Sequence, residues 1–260
     1  MSPAAVPVAD FIRQPRVLTL AHRGDSLVAP ENTLAAFSSA LRVGADLVEL
    51  DYRHSADGVP VVFHDELLDR CTDACRCFGG RRIPLAEKTL AELQTLDAGA
   101  WFAPRFAGER LASLEEALTL ICRESRVMIE RKSGDAGALV ALIERLGVAD
   151  RTVVTAFDWQ FLEDCRKLAP QLTLGALGED ALTAERLERA ARFGAAVIGW
   201  GDRWVTPEHV ALVHARGLRA WVWTVDSPER AAELIGWGVD GLISNAPGAI
   251  MAVRDRLAAL

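Results

Sequence analysis

No apolar run in this 260-residue chain approaches the ~18 residues a membrane-spanning helix needs. The first sixteen residues carry Pro3, Pro7, Asp10 and Arg13 without a continuous apolar stretch. No secretory leader is expected from this composition, and the segment is read as a short arm ahead of the first strand. Cysteine is sparse: five, an odd number, exclude a disulfide scaffold and fit a reducing, cytoplasmic setting. An excess of positive charge is also missing. Twenty-nine Lys and Arg face 36 Asp and Glu, for a net charge of −7. General affinity for nucleic acid or an anionic membrane is excluded, but a local basic site for an anionic substrate is not. Without a basic amphipathic stretch, no stable membrane association is expected. No low-complexity segment or linker divides the chain, and no Gly-rich nucleotide fingerprint follows the first strand. Nothing in the sequence bears on oligomeric state.

What is present is core-forming material. Half of the residues are hydrophobic and a quarter charged, the balance of a folded domain. Gly44, Gly147, Gly194, Gly217 and Gly238 each close a helix-like stretch and precede an apolar one, as glycine does past a helix end. Thr206-Pro207-Glu208 and Ser227-Pro228-Glu229 have the form of helix starts. Strands are predicted at 17–22, 46–52, 60–64, 126–132, 152–157, 172–177, 195–199, 218–225 and 240–244. The second and third are joined through Asp57-Gly58, too short a link for a crossover helix, so they form one barrel strand with an antiparallel extension. Eight strands remain for a parallel series. The expected architecture is a single α/β domain, residues 1–260, folded as a (β/α)8 TIM barrel; a doubly wound open sheet is the alternative. Residues 66–112 are too long for a barrel loop and are expected to form an inserted cap subdomain after the second barrel strand, with a helix over 90–96.

In such a barrel the chemistry lies at the C-terminal strand ends. Four neighbouring strands begin apolar and end ionisable: at His22-Arg23, at Glu49 and Asp51, at His64-Asp65, and at Glu130-Arg131-Lys132. Residues i and i+2 of a strand share a face, so Glu49 pairs with Asp51 and Glu130 with Lys132. Three carboxylates converging on the barrel mouth would repel one another unless a cation sat among them. Oxygen ligands favour a hard divalent ion, Mg²⁺ or Ca²⁺ with Mn²⁺ admissible, and no tight His/Cys set calls for zinc. His22 and His64 suit acid and base work, and Arg23 and Lys132 suit a phosphoryl oxygen. Together these describe metal-assisted phosphoester cleavage. The blander readings are a surface-facing acidic pair for Glu49 and Asp51 and a plain salt bridge for Glu130 and Lys132. His54, His209 and His214 are read as structural, and Arg131 as facing the helices or solvent.

The chain resembles the glycerophosphodiester phosphodiesterase family. The resemblance is carried by His22-Arg23-Gly24 with Pro30-Glu31-Asn32-Thr33, by Val48-Glu49-Leu50-Asp51, and by the run from Asp57-Gly58 to His64-Asp65. Ile129-Glu130-Arg131-Lys132 and Val222-Trp223-Thr224-Val225 follow, so it spans about His22 to Pro247. It implies a (β/α)8 barrel with a small insertion, and hydrolysis of a small-molecule glycerophosphodiester to glycerol 3-phosphate and an alcohol. It implies His22 and His64 as the acid–base pair, and Glu49, Asp51 and Glu130 as metal ligands. Arg23 and Lys132 become phosphate binders and Glu31 a further polar contact. Several positions depart from the family's usual pattern: Cys71 to Cys77, Ala156-Phe157, Asp226, and Ser244-Asn245-Ala246-Pro247. They are expected to bear on the alcohol side and to stand clear of the metal ligands and histidines.

Phe157 and Trp223 are candidates for the substrate mouth, with Trp101 and Phe102; the remaining tryptophans are read as packing. Cys71, Cys75 and Cys77 match no usual zinc spacing and are read as filling. Two other functions stay open: a related diesterase acting on lysophospholipids, and a barrel that binds metal or phosphate without catalysis.

Overall fold

A computed structural model describes residues 6–259. Alternating helices and strands place nine strands in one sheet: β1 (Leu18–Ala21), β2 (Leu47–His54), β3 (Pro60–Val62), β4 (Val127–Arg131), β5 (Thr152–Ala156), β6 (Thr173–Gly178), β7 (Val197–Gly201), β8 (Arg219–Trp223) and β9 (Gly241–Ser244). Their order is β1-β9-β8-β7-β6-β5-β4-β2-β3, and β1 also pairs with β2. That pairing closes eight parallel strands into a (β/α)8 barrel. β3 is antiparallel to β2, with Tyr52 opposite Val62, so it is the extension expected from Asp57-Gly58. The predicted strands are all present; β2 runs two residues past its predicted end because the hairpin continues the ladder to His54.

Local chemistry sets the helix limits. Thr33 accepts the Ala36 N–H at the start of helix Leu34–Val43, and Gly44 closes it at φ 80°. Thr206 and Ser227 cap helices that begin with proline. The helix expected over 90–96 covers only Leu90–Leu93. Its Thr89/Glu92 capping box is sound, but Thr95 Oγ1 turns back onto the Glu92 carbonyl at 2.6 Å, and Asp97 gathers the amides of Gly99, Ala100 and Gly108. Side-chain acceptors there replace the next helical turn.

Period-two alternation sorts the strand residues between two cores. Val48, Leu50 and Tyr52 of β2 face the helices with Ile129 and Val154. Leu47, Met128, Val153, Val197, Trp221 and Ile243 fill the barrel interior. The N-terminal arm is more than a lead-in. Its helix Val8–Phe11 buries Val8 and Phe11 against that interior layer, and the Arg126 guanidinium lies 3.7 Å above the Phe11 ring. The first five residues of the predicted arm lie outside the described residues. Between β3 and β4 the chain builds a third cluster, with Phe63, Leu68, Cys71, Ile83, Leu85, Leu93 and Leu111 at its centre. It has its own bridge, Leu67 to Pro84.

Candidate active site

The β2 pleat that aims Val48 and Leu50 at the helices aims Glu49 and Asp51 into the barrel mouth. Both are 1% exposed. Register puts Asp51 opposite Glu130 on β4. One carboxylate oxygen from each of Glu49, Asp51 and Glu130 lies within 4.8 Å of the others. This is not a surface-facing pair, and Glu130 and Lys132 are not a plain salt bridge, because Lys132 Nζ contacts Glu130 and also stands 3.3 Å from Asp51 Oδ1.

The loop after β1 supports this cluster. Arg23 and Asn32 both sit at positive φ, 55° and 57°, a conformation that residues other than glycine adopt only by exception and that is common at functional sites. Gly24 is required: a Cβ there would meet Ala36 at 2.7 Å. In this conformation the Arg23 N–H donates to Glu49 Oε2 at 2.6 Å. Its guanidinium reaches Glu31 Oε1 at 2.8 Å and Asp51 Oδ2 at 3.2 Å. Asn32 clamps Asp51 twice: its Nδ2 donates to Oδ2 at 2.8 Å, and its Oδ1 accepts the Asp51 N–H at 3.1 Å. Glu49 Oε1 is buried with no hydrogen-bond partner among the described residues.

Electrostatics follow burial. Glu49 is driven well above the ordinary carboxylate range by burial, then by Asp51 and Glu130. Glu130 rises through burial, then Asp51, with Lys132 opposing. Burial pushes Asp51 up too, but Lys132 and Arg23 outweigh it and hold it low. A proton or a cation must share this cluster.

The two histidines have different partners. His22 Nδ1 lies 2.7 Å from the Asn245 Oδ1. Burial, then Arg23, lowers its pKa to about 4. His64 Nδ1 lies 2.6 Å from the Asp65 carboxylate. Burial lowers His64 as well, with Asp51 and Asp65 opposing. The Asn245 contact corrects one expectation: a departure from the family pattern does touch a histidine, because β9 pairs with β1 and brings the two strand ends together. Arg70, from the segment between β3 and β4, was not singled out by sequence. Its guanidinium holds Glu31 through two nitrogens at 2.8 and 2.7 Å, and Asp65 at 2.6 Å. It therefore braces Arg23 through one carboxylate and His64 through the other. Arg70→Ala is expected to lower kcat about tenfold while costing under about 1 kcal/mol of stability, as for an exposed ion pair. Steady-state kinetics with thermal denaturation checks this; equal kcat in the two proteins would deny the brace.

A cavity of about 420 Å³ gathers His22, Arg23, Glu49, His64, Glu130 and Lys132, with Phe157 and Trp223 on its wall. The two rings meet edge to face at 5.6 Å, and Lys132 Nζ lies 5.7 Å from the Phe157 ring centre. Trp101 and Phe102 do not line this cavity; they meet edge to face in the inserted segment. Arg131 faces the helices, over Phe161. His214 pairs with Asp240 and His54 packs on Tyr52, away from the site. The cysteines are dispersed in role: Cys71 is buried in the inserted core and Cys77 is exposed. Burial pushes the Cys71 thiol up to about 12.

A (β/α)8 barrel with buried carboxylates, two cations and two histidines on one rim is of the class that handles phosphoryl groups. The model of the glycerophosphoryl diester phosphodiesterase family matches residues 22–249, and the chain belongs to that family. It is 37% identical over 239 residues to a glycerophosphodiester phosphodiesterase of Caldanaerobacter subterraneus subsp. tengcongensis, covering 89% of this chain and 95% of that protein. Among solved structures it is similar to an Oleispira antarctica phosphodiesterase in complex with the product sn-glycerol-3-phosphate, at 28% identity, TM-score 0.85, and 92% and 96% coverage. A glycerophosphodiester phosphodiesterase of Agrobacterium tumefaciens is similar at 31% identity, TM-score 0.78, and 91% and 99% coverage.

Proposed function

We propose that this protein hydrolyses glycerophosphodiesters to glycerol 3-phosphate and an alcohol, with a divalent cation held by Glu49, Asp51 and Glu130. The observation that carries this reading is the convergence of those carboxylates, two cations and two histidines on one cavity. The ligand set fits a hard cation: three buried carboxylates, each with an oxygen that has no hydrogen-bond partner among the described residues, Lys132 standing against two of them. When bound, such a cation polarises the phosphoryl group. Arg23 and Lys132 bind phosphoryl oxygens, with Glu31 fixing the Arg23 fork. Phe157 and Trp223 offer an apolar wall to the glycerol carbons.

The histidine partners support distinct roles. His22, buried against a neutral amide oxygen, is kept uncharged and takes the proton from the attacking oxygen. His64, nearer solvent and lowered by burial but opposed by Asp51 and Asp65, is the proton donor to the departing alcohol oxygen, acting in its protonated form. The barrel acts as one catalytic domain, with residues 66–112 as its cap subdomain. No helix among the described residues is long and apolar enough to cross a membrane.

A polar alcohol is favoured. A groove of about 1050 Å³ adjoins the cavity, sharing Phe157, Leu177 and Glu179 with it, and adds Gln160, Asp180 and Arg186. One observation favours a lysolipid instead: Leu27 and Val28, on the loop after β1, are 64% and 45% exposed. Turnover of glycerophosphocholine against lysophosphatidylcholine separates the two. The expected result is preference for the first; a higher kcat/KM for the lysolipid assigns the exposed leucine and valine to an acyl chain and overturns the polar reading.

A further inference from the structure

The end of β9 and the turn after β8 form a small hydrogen-bonded unit behind His22. Asp226 Oδ1 accepts the Asn245 N–H at 2.7 Å and the Ser244 hydroxyl at 2.9 Å. Its Oδ2 accepts from Asn245 Nδ2 at 2.7 Å. A carboxylate only accepts, so the Asn245 NH₂ must face Asp226. The amide oxygen is then turned toward His22, where it lies 2.7 Å from Nδ1 and 2.9 Å from Ser26 Oγ. An amide oxygen also only accepts, so His22 Nδ1 must carry the hydrogen. The His22 N–H bonded to the Ser244 carbonyl at 2.8 Å, and the Leu27 N–H bonded to the Asn245 carbonyl at 2.9 Å, hold the two segments in register.

We infer that Asp226 is a positioning residue: by orienting the Asn245 carboxamide it fixes His22 as the Nδ1–H tautomer and leaves Nε2 as the lone-pair nitrogen. This rests on the reading of His22 as the base. Neither residue touches the reacting atoms. Both act through the ring, and a ring in the other tautomer has no lone pair to offer from Nε2.

The chain of donors and acceptors can be reversed and then restored. In Asp226→Asn, the new amide oxygen stays on the Asn245 N–H and the Ser244 hydroxyl, and its NH₂ faces Asn245. Asn245 must turn its oxygen to that donor and its own NH₂ to His22, forcing the Nε2–H tautomer. Adding Asn245→Asp gives the new amide at position 226 a carboxylate to donate to, and returns an acceptor to His22 Nδ1.

The test reads the imidazole ¹⁵N shifts of His22 beside steady-state kinetics, on the full chain. Asp226→Asn is expected to show the Nε2–H form and lose about 100-fold in kcat with KM little changed. Asp226→Asn with Asn245→Asp is expected to show Nδ1–H and recover to within about tenfold. The tautomer readout needs no substrate, so it stands apart from the choice of glycerophosphodiester. An unchanged Nδ1–H form in Asp226→Asn overturns the inference, and so does a kcat loss that the double variant does not restore, which marks Asp226 as merely structural.

Discussion

His64→Ala lowers kcat by about 10²–10⁴-fold on glycerophosphocholine, and by far less on a glycerol phosphodiester with an aryl leaving group. The contrast follows from the proposed role. A choline oxygen leaves as a strong base and needs a proton from His64, whose Nδ1 is turned to Asp65 and whose Nε2 is left to donate. An aryl oxide leaves without it. His22→Ala has the opposite signature, a comparable loss on both esters, because the attacking oxygen still requires its base whatever departs. Parallel kinetics on the two esters check both assignments at once. If His64→Ala is equally impaired on each, His64 is not the acid; if His22→Ala is rescued by the aryl ester, the roles are reversed.

The second large effect is in cation binding. Stripping divalent ions is expected to lower activity by about 10²-fold or more, and rebinding is expected to release protons. The sign follows from burial. Without a cation, burial and mutual repulsion raise Glu49 well above the usual carboxylate range and bring Glu130 to about 7. Both therefore retain protons at and below neutrality. A cation binds the ionised carboxylates and must displace those protons. Affinity then rises with pH through neutrality and levels off once both groups are ionised in the free protein. Calorimetry in buffers of different ionisation enthalpy measures the release directly. Affinity that is flat across pH 5.5–8 (roughly the span on both sides of that titration), with no proton release, contradicts a cation seated on these three carboxylates.

The barrel was legible because its signals are local and periodic. Glu49 and Asp51 declare a shared face by spacing alone, and Thr206-Pro207 or Ser227-Pro228 declare a helix start within three residues. The convergence of four strand ends needs only the barrel closure that those elements imply. What escaped was long-range pairing. Asn245 meets His22 across 223 residues of sequence and Arg70 meets Glu31 across 39, and nothing in either segment names its partner. Asn32 stood inside a recognised motif, yet its double clamp on Asp51 depends on a positive φ that a motif does not display. The helix predicted over 90–96 stops at Leu93 because the hydrogen bonds of Thr95 and Asp97 compete with the helical propensity of its residues. The arm's helix was missed because four residues hold a helical turn only through tertiary packing, here Phe11 under Arg126.

The most direct test is release of glycerol 3-phosphate from glycerophosphocholine and glycerophosphoethanolamine by metal-stripped protein, with Mg²⁺, Ca²⁺ or Mn²⁺ added back. The expected result is product formed at least about 10²-fold more slowly without an ion and at full rate with at least one, slowed again in Glu49→Gln and in His22→Ala. Undiminished hydrolysis in the presence of chelator contradicts the cation's place in the site. No glycerol 3-phosphate with any ion, from a protein that binds the ion, contradicts the assignment of glycerophosphodiesters as substrate.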